Sequence, residues 1–268
     1  MQNMHKVMRA SRMGLLSLAC GWAMAGLAQS VASATGPAVI KVAAASNLKF
    51  VLADLLPMYR QQSGLEVQLS LGASGALVQQ IRQGLPVTLF VSADEERVDE
   101  LVKAGWTQDA GQRYATGRLA VLVLKDSPLP LEGGLKAVVQ ALHKQDKLAI
   151  ANPETAPYGL AAQQALNHEG AWALVQPHLV KGESIAQTTQ FVVTGAAAAG
   201  ITALSLVMAP EVVQRTRFKV IPAGFHAPLH QKLVLLKGAN PETRQFRDFL
   251  LSPAARAVFQ RHGYDTTP

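Results

Sequence analysis

Two short loops carry residue types that could hold an anion. Ala45-Ser46-Asn47 and Ala73-Ser74-Gly75 each lie between an apolar stretch of strand character and a stripe of helical spacing. Each puts a serine hydroxyl beside the leading backbone N–H groups of a helix. Those groups have no partner inside the helix and sit at the positive end of its dipole. Such a terminus binds an oxyanion through neutral donors alone. A serine there can equally be an ordinary N-cap, worth about 1 kcal/mol to its helix. Two loops of one kind, a single strand–helix unit apart, favour a shared anion pocket over two coincidental caps.

Covalent chemistry finds less support. Gly72-x-Ser74 begins like the G-x-S-x-G turn of serine hydrolases, but Ala76 stands where the last glycine belongs. There is no G-x-G-x-x-G, no P-loop and no C-x-x-C. His143, His168, His178, His226, His230 and His262 are scattered along the chain. His226 and His230 have helical spacing, yet Pro228 between them argues against one helix offering both to a metal. Asp94-Glu95-Glu96 is what a helix dipole favours in a first turn. No cofactor and no catalytic constellation are expected. A secreted serine hydrolase built on Ser74 is the remaining enzymatic alternative.

The elements that must position the two loops follow from periodicity. Val39–Ala44, Glu66–Leu71 and Thr88–Val91 read as strands. Between them, apolar residues recur at helical spacing over 48–59 and 77–81, with a third helix over 98–102. Strands alternating with helices at this spacing imply a parallel α/β sheet. A second series follows: strands at Arg118–Leu124, Lys147–Ala151, Ile201–Leu204, Phe218–Ile221 and Leu233–Leu236, with helices at Gly159–Leu166 and Ile185–Val193. Ala196–Ala199 reads as a helix end or loop, and Ser252-Pro253 opens a last helix. Two α/β lobes without a long linker imply a ligand cleft between them.

The N-terminus reads as an export signal. Lys6, Arg9 and Arg12 precede an apolar run over 13–28, and Ala32-Ser33-Ala34 supplies the cleavage site. Glycines break that run, and it is short of the ~20 apolar residues of a membrane-spanning helix. Cleavage after Ala34 would leave Thr35–Pro268, a periplasmic chain. It removes Cys20, the only cysteine, so no disulfide is expected. It also removes three basic residues and no acid, lowering the formal charge from +7 to +4. A charge of that size, spread along the chain, is no signature of nucleic-acid binding.

Four segments together resemble the periplasmic molybdate-binding proteins of bacterial ABC importers: VAAASNLKFVL (42–52), LSLGASGALVQQIRQGLPVTLFVSADEERVDEL (69–101), LAIANPETAPYGLAAQQAL (148–166) and FLLSPAARAVFQRHGY (249–264). The resemblance covers the chain beyond the export signal. It implies a two-lobed type II periplasmic-binding-protein fold, each lobe a mainly parallel sheet flanked by helices. Lobe one would be 37–117 plus 228–268, and lobe two 118–227. It implies a molybdate or tungstate oxyanion held by hydrogen bonds alone, the only metal being that of the ligand. Carried over by motif, lobe one supplies Ser46, Asn47 and Ser74, and lobe two the backbone N–H groups of Tyr158 and Ile185. The chain departs from those relatives that place a tyrosine hydroxyl on the ligand, having Thr202, Ala203 and Leu204 there. The implied partners are the membrane permease subunits of an importer, with the protein a monomer and no enzyme. A binding protein for sulfate or thiosulfate would share fold and signal.

Overall fold

The computed structural model describes residues 39–266, so the export signal and its cleavage site lie outside the described residues. The described residues belong to one compact unit. In chain order its strands are β1 (Val39–Ala45), β2 (Glu66–Gly72), β3 (Leu89–Val91), β4 (Gln112–Gly117), β5 (Leu119–Leu124), β6 (Leu148–Ala151), β7 (Leu179–Gly182), β8 (Ala199–Ala203), β9 (Thr216–Val220) and β10 (Leu229–Leu235). They build two five-stranded sheets, ordered β2-β1-β3-β10-β4 and β7-β6-β8-β5-β9. The chain leaves the first sheet between Gly117 and Leu119 and returns to it between Val220 and Leu229.

The two sheets are built alike. β1 pairs in parallel with β2 and β3, and β6 pairs in parallel with β7 and β8. The strands that follow each crossover, β5 and β10, run antiparallel to their neighbours. The sheets are therefore mixed, with as many antiparallel as parallel pairings, where mainly parallel sheets are expected from the sequence. Two strands, β4 and β7, escaped the sequence reading. QRYATG has no clean alternation, and LVKG is only a few residues long.

Each parallel unit ends in a helix that starts at the strand's C-terminal end. β1 leads through the 3-10 turn Ser46–Leu48 into α1 (Lys49–Ser63), β2 leads into α2 (Ser74–Arg82), and β3 leads to α3 (Glu96–Lys103). In the second sheet α4 (Gly134–Gln140) precedes β6, and α5 (Pro157–His168) follows it. The helix Ile185–Val193 follows β7. Val42, Ala43 and Ala44 are fully buried because helices cover both faces of β1, an interior strand. Tyr59 of α1 packs against Phe246 and Phe249 with ring centroids 4.8 and 5.1 Å away. Burial of such a ring contributes about 1.5–3 kcal/mol. That cluster anchors α1 and so fixes the loop at its start.

Candidate functional site

The register of β1 on β2 pairs Ala45 with Gly72, so the two serine loops emerge side by side at one sheet end. The serines are not the caps of their helices. Ala45 and Ala73 hold the N-cap positions, in extended backbone and with no side-chain cap bond, and each serine sits one residue inside. Across the cleft α5 starts the same way, with N-cap Ala156 uncapped and Pro157 at the first helical position. Proline has no N–H, which leaves Tyr158 as the leading donor of that helix. Ile185 opens the helix Ile185–Val193 behind Ser184, whose hydroxyl accepts from the Gln187 N–H rather than from Ile185.

These four starts face one cavity. Ser46, Asn47, Ser74, Tyr158 and Ile185 all line it, and its other walls are alanines, Gly72 and Pro157. The five site residues expected from the sequence are therefore brought together. Ala203 does not line the cavity. It is fully buried at the end of β8, while Thr202 bonds Thr189 at 2.6 Å and helps to hold the start of the Ile185 helix. No charged side chain and no histidine lines the cavity among the described residues. The cavity is small, about 10 Å³, which suits one compact ion better than a sugar or amino acid.

Both serine hydroxyls accept one backbone bond. Ser74 Oγ accepts from the Ala93 N–H at 3.0 Å, and Ser46 Oγ from the Ala186 N–H at 3.3 Å. A hydroxyl has one proton, and here it is free to point at a ligand. Among the described residues, no backbone acceptor outside the helices takes the N–H of Ser46, Ser74, Tyr158 or Ile185. Uncapped N–H groups and the positive ends of four helices give the cavity a positive potential without a formal charge.

The walls are locked across the cleft. The Gly75 N–H donates to the Thr155 carbonyl at 2.8 Å, and Arg97 Nη2 to the Glu154 carbonyl at 3.1 Å. A Cβ on Gly75 would lie 2.8 Å from that Thr155 oxygen, so the lobes meet at this closeness only over a glycine. Behind the cavity, Ser205 Oγ donates to the Asn47 carbonyl at 2.9 Å, and the Tyr264 hydroxyl reaches Ser205 at 3.0 Å. Burial pushes the Tyr114, Tyr158 and Tyr264 hydroxyls above their ordinary range, so all three stay protonated. Gln231, Tyr114, Ser205 and Tyr264 are members of this site that sequence reasoning missed. They come from strands and helices remote in the chain, and no local motif marks them.

A two-lobed α/β protein closed on a small donor-lined cavity is a binding protein by construction. Residues 40–265 match the model of the bacterial extracellular solute-binding proteins, and the chain belongs to that family. It is 35% identical over 238 residues to the molybdate-binding protein ModA of Azotobacter vinelandii, covering 87% of this chain and 92% of that one. It is 30% identical over 253 residues to the ModA of Rhodobacter capsulatus, covering 93% and 97%. The solved structure of the Azotobacter vinelandii periplasmic molybdate-binding protein superposes with a TM-score of 0.78 at 29% identity, over 85% of this chain and 100% of that chain. The sulfate-binding protein SubI of Mycobacterium tuberculosis shares the fold at a TM-score of 0.70 and 16% identity, over 86% of this chain and 88% of its own.

Proposed function

We propose that this protein captures molybdate, and tungstate with it, in the periplasm and delivers the ion to the permease subunits of an ABC importer. The observation that carries the reading is the convergence of four helix starts, three of them with no side-chain cap, on one small cavity that no charged side chain lines among the described residues. The molybdate-binding relatives of similar length support the choice of anion. Ser46 and Ser74 donate through hydroxyl and N–H, Tyr158 and Ile185 through N–H, and Asn47 completes the set. Residues 37–117 with 228–268 act as one lobe and 118–227 as the other. They hinge at the two crossovers, and closure forms the surface that the permease reads. The exported chain works as a monomer after cleavage at Ala34.

The donor arrangement explains selectivity. Hydrogen phosphate carries a proton that needs an acceptor, and burying it unpaired costs about 1–3 kcal/mol. Both serine oxygens already accept one backbone bond, which leaves each a single lone pair for such a proton. Sulfate has no proton at neutral pH and is rejected by size, since a smaller ion cannot span donors held apart by the closed lobes. A hydrolase reading lacks a base, because among the described residues no histidine lines the cavity beside Ser74.

The test is calorimetric titration of protein lacking residues 1–34, freed of bound anion, with molybdate, tungstate, sulfate and phosphate. Submicromolar binding of the first two with far weaker sulfate and phosphate is expected. Tight sulfate binding without a molybdate response would overturn the named anion and keep the cleft. Silence with all four would remove the oxyanion reading.

A further inference from the structure

One buried side chain joins the two walls of the cavity. Gln231 of β10, 0% exposed, lies 3.0 Å from the Asn47 amide on the first wall and 2.9 Å from the Tyr158 hydroxyl on the second. Tyr158 thus presents its N–H to the cavity and its hydroxyl to the hinge. A Cβ on Gly117, at the outward crossover, would fall 2.0 Å from that hydroxyl, so only glycine lets the ring pass. The network extends to Tyr114, 2.6 Å from Gln231, and to Tyr264, 2.7 Å from Asn47.

Counting protons gives this network a direction. Tyr114 has one proton, yet its hydroxyl faces Gln231 Oε1 at 2.6 Å and the Ser92 carbonyl at 2.9 Å. Asn47 Nδ2 meanwhile donates to Gln231 and Tyr264, while its Oδ1 is buried with no partner. The nitrogen and oxygen of a terminal amide exchange places by a half-turn. Turning both amides pairs the Asn47 oxygen and removes the conflict at Tyr114; Tyr264 then gives up its bonds to Ser205 and to the Asn47 carbonyl, which keeps the Ser205 hydroxyl as its donor. Gln231 Nε2 then donates to Tyr114 and to Asn47 Oδ1, and Gln231 Oε1 accepts from Tyr158. Tyr114 donates to Ser92, and Tyr264 to Asn47 Oδ1. The Asn47 amide nitrogen takes the place that had no partner, with its protons free. A dianion in the cavity demands this sense, since a carbonyl oxygen repels it and an N–H forms a charge-assisted bond.

We propose that Gln231 is a positioning residue for anion capture: it turns the Asn47 amide so that it donates into the cavity, and it ties Tyr158 to the first sheet. The proposal rests on the molybdate reading above. Its test begins with the wild-type protein, ¹⁵N-labelled and titrated with molybdate, with the Asn47 side-chain amide assigned from the signal lost in Asn47→Leu. That amide should shift strongly on saturation. In Gln231→Met, with folding checked by circular dichroism, the shift should shrink and the affinity should fall about tenfold or more. In the Asn47→Leu background, Gln231→Met should cost a smaller factor than in wild type, because part of its effect runs through Asn47. An Asn47 amide unmoved by saturating molybdate would overturn the proposal without any variant. So would wild-type affinity in folded Gln231→Met, or losses that simply multiply in the double variant. A wild-type protein that ignores molybdate would instead strike the functional reading itself, so the two failures are distinguishable.

Discussion

Gly75→Ala separates the stability of the lobes from their closure. Gly75 is a helical residue near the start of α2, so alanine favours its own helix by up to about 1 kcal/mol. In the ligand-free protein that gain should raise the melting temperature by about 1–4 °C. Closure brings the opposite effect. The new methyl would stand 2.8 Å from the Thr155 oxygen and 3.2 Å from the Thr155 Cα, backbone atoms that cannot rotate aside. Relieving such an overlap costs about 1–3 kcal/mol. It also stretches the Gly75–Thr155 hydrogen bond, worth about 0.5–1.5 kcal/mol. The combined penalty of about 1.5–4.5 kcal/mol falls on the closed form alone and weakens molybdate binding roughly 10- to 1,600-fold. Calorimetric titration reads the affinity, and thermal melts with and without molybdate read the stability. Wild-type affinity in this variant would refute closure over Gly75. Parallel loss of affinity and ligand-free stability would refute the assignment of the contact to two separately folded lobes.

Three further outcomes follow from the same geometry. Ser46→Ala and Ser74→Ala should each weaken molybdate binding roughly 10- to 150-fold. Only Ser74→Ala should also destabilise the ligand-free protein, by about 1–3 kcal/mol in urea melts, because its Ala93 partner lies in the same lobe. Equal destabilisation by Ser46→Ala would contradict this. Burial raises the Asp94 carboxyl above 3.8 despite the Ser92 bond, so the folded state binds its proton more tightly and ionisation at neutral pH lowers stability. Asp94→Asn should therefore melt higher than wild type at pH 7, and its advantage should vanish below pH 3.8. Burial lowers His226, on the return crossover, below 6.5, so the unfolded chain binds its proton more readily. Its stability contribution is complete above pH 6.5 and is lost as pH falls toward the lower folded value, and His226→Asn should flatten that part of the stability profile.

The sequence alone determined the local half of this protein. Strand and helix periods located β1, β2, β3, β5 and β6, because a half-buried or doubly covered element must repeat its apolar residues at a fixed interval. The serine loops were legible for a similar reason, since a hydroxyl at a strand–helix junction has few roles. Their exact offset was not legible. A serine at the N-cap and one a residue further in look alike in sequence, and only the backbone at Ala45 and Ala73 shows that the hydroxyls are free for the cavity. Tyr158 and Ile185 entered through resemblance to known relatives, because a backbone N–H leaves no trace in residue type.

Tertiary structure decided the rest. Whether β5 and β10 run parallel or antiparallel depends on which sheet edge each crossover meets, which no window of residues records. The roles of Gly75 and Gly117 depend on how closely Thr155 and Tyr158 approach from the other lobe. Gln231 is one more polar residue in the alternation of a strand until folding sets it between Asn47 and Tyr158. Such a contact depends on the whole path of the chain, whereas a helix start depends on a few neighbouring residues. For that reason residues that line the cavity could be named from sequence, while the network behind them could not.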